Sequence, residues 1–175
     1  MSTQEKSITG VEVFFDANDI IVSKTNLKGH ITYANDVFLD IAGYTEEEVL
    51  GKPHSLIRHP KMPRCVFKLL WDTIQAGDEI FAYVINRAKN GDHYWVLAHV
   101  TPSYDSASQM VGFHSNRRVA NRDTLTDVII PLYDELLATE QAGDRKSGLE
   151  ASTRKLTEFL SAKNMTANQY FLSLA

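Results

Sequence analysis

The run I-T-Y-A-N-D-V-F-L-D-I-A-G-Y-T-E-E-E-V-L-G, residues 31–51, passes from strand to helix to second helix with no linker between them. Ile31–Ala34 is β-branched and aromatic and reads as extended. Asn35 or Asp36 caps a helix with Val37, Phe38, Ile41 and Ala42 on one side, and Gly43 ends it. Thr45 with Glu48 three residues later is a capping box for a very short helix that Gly51 closes.

Upstream, D-I-I-V-S-K-T at Asp19–Thr25 reads as a buried strand, and L-K-G-H at Leu27–His30 as a turn with positive φ at Gly29. With Ile31–Ala34 these make a hairpin. V-E-V-F-F at Val11–Phe15 is an apolar patch placed as an N-terminal arm, after a disordered start over residues 1–10. Downstream, Pro53, Pro60 and Pro63 forbid a long helix. Pro63 suits the first turn of the next helix, where its missing N–H costs little. Val66, Leu69, Leu70, Thr73 and Ile74 give that helix an apolar face, and Phe67 and Trp71 form an i,i+4 aromatic pair beside it. Gly77 stops it.

Three strands follow, at Glu79–Ala88, His93–Tyr104 and Met110–Val119. Asn90-Gly91 is a strong hairpin signal, and Asp105–Gln109 supplies the next turn. From Asn121 the period becomes helical, through Leu125, Val128, Ile129, Leu132 and Leu136, with Pro131 a candidate kink. Ala142–Gly148 reads as a hinge, and 149–162 and 166–174 as further amphipathic helices. The order predicts an α+β domain: one antiparallel five-stranded sheet with short helices on one face, an N-terminal arm and C-terminal helices. The expected divisions are an arm over 1–18, a sensor domain over 19–119 and a helical extension over 120–175. A small molecule would bind on the concave side, between sheet and helices.

At 175 residues the chain is long enough to bury a core without disulfides. A net charge of −4 offers nucleic acid no general attraction. One cysteine, Cys65, excludes a disulfide framework and a multi-cysteine zinc site, favours a cytoplasmic location, and reads as a small buried hydrophobe. No window is apolar enough for a membrane span, and the polar start M-S-T-Q-E-K-S lacks a signal-peptide core.

Two runs exceed what local folding requires: R-H-P-K-M-P at Arg58–Pro63 and N-G-D-H-Y-W at Asn90–Trp95. An Arg and a His beside a proline-forced bend, in a domain rich in aromatics, point to a cofactor pocket. An Arg held in extended backbone before Pro60 can clamp a phosphate bidentately. Arg117 shares one strand face with Phe113 and Ser115 by period two. His54, His93, His99 and His114 keep haem open as an alternative. No G-x-S-x-G, H-E-x-x-H, Walker or paired-carboxylate pattern is present, so an enzyme reading has no constellation to rest on.

The segments I-T-Y-A-N-D-V-F, G-K-P-H-x-x-x-R-H-P-x-M-P and K-N-G-D-H-Y-W resemble PAS domains, over about residues 11–119. More narrowly, they resemble the flavin-binding PAS domains of the aerotaxis (Aer/CetB) type. That resemblance implies non-covalent FAD, redox sensing, and reporting to a transmembrane methyl-accepting chemotaxis signaller. Its motif carries over to Asn35, Arg58, His59, Phe67 and Trp71, with Trp95 closing the N-G-x-x-x-W segment. Two positions depart from it: Lys61 replaces the usual acid and would suit a pyrophosphate, and Phe81 stands where a Trp is frequent. In light-sensing flavin PAS domains the reactive Cys matches His54, which cannot form a flavin–thiol adduct. Their flavin-binding Asn matches Asn86, and their last-strand Gln matches Arg117, a fixed cation that would favour an anionic reduced flavin. The expected whole is a cytoplasmic, homodimeric redox sensor that docks on a transducer without entering the membrane. The alternatives are a cofactor-free PAS interaction module and a haem-binding, gas-sensing PAS domain.

Overall fold

The computed structural model describes residues 7–175. The sheet has five antiparallel strands in the order β2-β1-β5-β4-β3: β1 Ile21–Asn26, β2 Ile31–Ala34, β3 Ile80–Arg87, β4 His93–Tyr104 and β5 Met110–Val119. Between β2 and β3 lie α1 Asp36–Ala42, α2 Glu46–Val49, a 3-10 turn His54–Ile57 and α3 Arg64–Gln75. These elements cover one face of the sheet.

Local chemistry sets the boundaries. The Asn35 side chain caps α1 by accepting from Phe38 N–H, and Gly43 closes that helix in the left-handed region. Thr45 and Glu48 form the reciprocal capping box of α2. At Gly29, with φ +77°, a Cβ would stand 3.1 Å from the Trp71 ring. Turn geometry and close packing therefore both require glycine there.

Both sheet edges are covered. Ile31 N–H donates to Lys52 O and Gly51 N–H to Ile31 O along β2. On β3, Phe81 N–H donates to the Asn168 side chain and Tyr83 O accepts from Tyr133 O–H, so C-terminal helices close the free edge.

After β5 come α4 Arg122–Thr124, a π-helical turn Leu125–Ile129, α5 Ile130–Gln141, α6 Arg145–Ala162 and α7 Ala167–Ser173. Pro131 does not break this run. The π turn, with Ile130 N–H bonded to Leu125 O, resets the ladder so that Pro131 falls in the first turn of α5. The expected hinge over Ala142–Gly148 is shorter than the sequence implied. Asp144 caps α6, which starts at Arg145. Gly148 lies inside it, where a Cβ would come 2.1 Å from Glu140 O, so this glycine permits helix contact rather than bending.

The N-terminal segment pairs with the sheet. Val13 N–H donates to His93 O and His93 N–H to Val11 O, while Thr9 N–H donates to Gly91 O in the β3–β4 hairpin. The expected disordered start is thus tied to the sheet from Thr9 onward, and residues 1–6 lie outside the described residues. Among the described residues, no helix is long and apolar enough to cross a membrane.

Candidate ligand-binding site

Side chains alternate across each strand, and even-numbered positions of β3 and β4 face α3. Val84, Asn86, Ala98 and Val100 line the cavity from those strands. On β1 and β5 the odd positions do so: Ser23, Thr25, Phe113, Ser115 and Arg117. From the helical side come His54, Arg58, Phe67, Leu70, Trp71 and Ile74. Together they enclose about 460 Å³, within the range of small-molecule sites.

The walls are aromatic and apolar. Trp71 and Phe113 pack with ring centroids 5.3 Å apart. The Arg58 guanidinium lies 3.7 Å above the Phe67 ring centroid, a cation–π contact that fixes it at the cavity rim. Backbone pairing between Arg58 and Asn86 ties the proline-rich bend to β3.

The polar end of the cavity is unusual. Arg117 is 2% exposed. Its Nε donates to Ser115 Oγ at 3.1 Å and its Nη2 donates to Ser23 Oγ, but its Nη1 has no partner. Burial lowers its pKa to about 10, which still leaves it a cation at neutral pH. Asn86, 3% exposed, has an unpartnered Nδ2 in the same lining. His54 Nε2 sits 3.1 Å from Ser23 Oγ. Burial, then the charges of Arg117 and Arg58, lower the His54 pKa to about 3, so the imidazole is neutral.

Two residues of the lining, Asn86 and Arg117, each carry a buried donor without an acceptor, and the described lining contains no carboxylate. Such donors are costly unless a ligand completes them. The arrangement suits a flat molecule with apolar faces, hydrogen-bond acceptors along one edge and negative charge.

Six of the predicted residues line this cavity: His54, Arg58, Phe67, Trp71, Asn86 and Arg117. Four do not. Asn35 is a structural staple: it caps α1, accepts from Val22 N–H at 2.9 Å and donates to Ile20 O at 2.8 Å. His59 is buried, turned toward His93 with ring centroids 5.6 Å apart, and accepts from Lys61 N–H. Burial, with the neighbouring His93, lowers its pKa to about 4.

Phe81 and Trp95 lie on the opposite face of the sheet, because their strand parity is opposite to that of the cavity residues. Phe81 stacks on His99 at 4.1 Å, and Trp95 packs against Tyr133 of α5. Lys61, expected to suit a pyrophosphate, is exposed and lies outside the lining of the cavity and of the groove beside it. Burial pushes the Cys65 thiol up to about 11, consistent with an inert core residue.

The sequence reading missed the cations at the mouth. Lys28, Arg64, Lys68 and Arg145 join Arg58 in the lining. No motif announces Arg145, which arrives from a helix well beyond the last strand.

Residues 31–117 match the PAS fold family. The chain is 40% identical over 118 residues to the aerotaxis receptor of Escherichia coli K12, which covers 67% of this chain and 23% of that protein. It is 30% identical over 83 residues to phototropin-2 of Oryza sativa subsp. japonica, covering 47% of this chain and 9% of that one. The chain thus spans less than a quarter of the length of either relative. Among solved structures, the dark state of the Aureochrome1 LOV photoreceptor matches with TM-score 0.55 and 22% identity, over 66% of this chain and 85% of that one. A PAS domain from Colwellia psychrerythraea matches with TM-score 0.51 and 22% identity, over 57% and 86%. A PAS match from β2 into β5, with this degree of identity, places the chain in the PAS family as a sensory signalling domain of the aerotaxis-receptor type.

Proposed function

We propose that this domain holds FAD non-covalently in the cavity and works as a redox sensor that reports to a methyl-accepting transducer. The observation that carries the reading is Arg117: a buried cation with two serines and a neutral histidine around it, and no carboxylate in the described cavity lining. A flavin ring presents acceptors along its pyrimidine edge, which match the spare donors of Asn86 and Arg117. Trp71, Phe67 and Phe113 provide apolar walls for the ring, and Arg58 a phosphate partner at the rim.

Bound FAD supplies reversible uptake of electrons. The chain supplies the sensitivity. Arg117 bonds to Ser115 on its own strand and to Ser23 on the next, so a redistribution of its hydrogen bonds is felt across β5 and β1 together. β5 continues into α4, and Arg122 there grips Glu12 of the N-terminal segment with bonds of 2.8 and 2.6 Å. This gives the cavity a short mechanical route to both flanking segments. The route needs two discrete arrangements with different contacts to carry a signal. Likeness to an aerotaxis receptor supports a chemotaxis-type transducer as the receiver.

The test is the absorption spectrum of the purified protein, followed by heat release and chromatography of the pigment. A flavin spectrum and released FAD support the reading. A Soret band would replace it with haem. A colourless protein that takes up no added flavin would leave a PAS interaction module.

A further inference from the structure

Two concavities meet at the mouth of the site. The main cavity and a shallower groove beside it share Ser55, Arg58, Arg64 and Arg145. The groove adds His59, Pro60 and Met62, and neither lining includes a carboxylate among the described residues. That is notable in a chain with 22 acidic and 18 basic residues.

One of the shared arginines, Arg64, is held in place from the C-terminal side and in turn bonds the backbone of a second, Arg145. Glu140, 6% exposed on α5, accepts from Arg64 Nε at 3.2 Å, and its other oxygen accepts from Cys65 N–H at 2.9 Å and Ser152 O–H at 3.0 Å. One carboxylate therefore fixes Arg64, caps the start of α3 and holds α6. Arg64 Nη1 donates to Arg145 O at 2.7 Å, which sets the first residue of α6 against the mouth. Arg64 Nη2 and the whole Arg145 guanidinium make no hydrogen bond to the described residues. Leu149, one turn further along α6, also lines the main cavity.

Resting on the FAD reading above, we propose that α6 completes the binding site. Arg145 and the free edge of Arg64, with Arg58, receive the phosphate chain of the ligand where it leaves the main cavity for the groove. Guanidinium groups match phosphate oxygens in geometry as well as charge. The ring-binding half of the site belongs to the PAS core, whereas selection for a phosphate-bearing flavin depends on a helix that lies outside the family match at 31–117. Arg145 is a specificity residue, and Glu140 and Gly148 are positioning residues.

The test compares FAD and riboflavin binding to the full chain stripped of pigment, for the wild type, Arg145→Gln and Arg154→Gln. The last removes an arginine of the same helix outside both linings. Arg145→Gln is expected to weaken FAD about tenfold, as loss of one charge-assisted phosphate contact does, and to leave riboflavin unchanged. Arg154→Gln is expected to change neither. Unchanged FAD affinity in Arg145→Gln, or equal loss for both ligands, would overturn the inference and leave the FAD reading standing. A wild type that binds neither ligand would overturn both.

Discussion

Arg117 Nη2 lies 3.5 Å from His54 Nε2, a cation and a titratable ring facing each other inside the cavity wall. Protonating His54 would set two positive charges together in a poorly hydrated site. That is why burial, with Arg117 next, holds its pKa near 3. His59, on the far side of Arg58, is held near 4. In the unfolded chain both return to about 6.5. Between those values the unfolded state binds more protons, so stability is fully present above pH 6.5 and is lost as pH falls toward 4 and 3. The slope is about 1.4 kcal/mol per pH unit for each proton. Urea unfolding at a series of pH values should show this decline, and His54→Gln should flatten it. An unchanged slope in that variant would mean His54 is not the residue responsible.

Arg117→Gln should act in opposite directions on empty and loaded protein. In the empty cavity it removes a buried cation with an unpartnered Nη1, so the melting temperature should rise by an amount worth about 1 kcal/mol or more. With FAD present, affinity should fall, and the reduction potential should shift negative because a cation no longer favours the anionic reduced ring. Unchanged potential and affinity would remove Arg117 from the sensing mechanism.

Asn35→Ala deletes the α1 cap together with the bonds to Val22 and Ile20. We expect a loss of about 2–3 kcal/mol in chemical unfolding. Flavin affinity, measured where the variant remains folded, should match the wild type. A selective affinity loss at full stability would return Asn35 to the ligand site.

Gly148→Ala sets two effects against each other. Helix propensity favours alanine by about 1 kcal/mol, but its Cβ would fall 2.1 Å from Glu140 O. The clash with backbone should win, because neither helix can yield without disturbing Glu140 and its bonds to Arg64 and Cys65. A lower melting temperature and faster proteolysis between α5 and α6 are expected; a more stable variant would contradict the close approach.

The elements were readable because each carries its own signal. Asn35, Gly43 and the Thr45–Glu48 pair mark helix ends by hydrogen bonding that depends on neighbours in sequence. Asn90-Gly91 marks its hairpin through positive φ, and Gly91 has φ +98°. Cavity residues were harder, since motif matching ignores which way a strand residue points. Asn86 and Phe81 are five apart on one strand, so they cannot share a face, and Trp95 pairs directly with Ile85, also of the wrong parity. Period two, applied to β3 and β4 as it was to Phe113, Ser115 and Arg117 on β5, would have separated them. Adjacent Arg58 and His59 diverge because the bend sends one side chain to the cavity rim and packs the other against His93. Arg64 and Arg145 meet through tertiary packing of α3 with α5 and α6, which no local pattern encodes.

The two tryptophans of this chain sit on opposite sides of one sheet, Trp71 in the cavity wall against Phe113 and Trp95 beneath α5 against Tyr133. Nature has thereby installed a pair of fluorescent gauges. Phe replacement of either one leaves an optical probe that watches ligand entry alone or helix docking alone, so the order of the two events can be timed by comparing the stopped-flow traces of the two variants without any added dye.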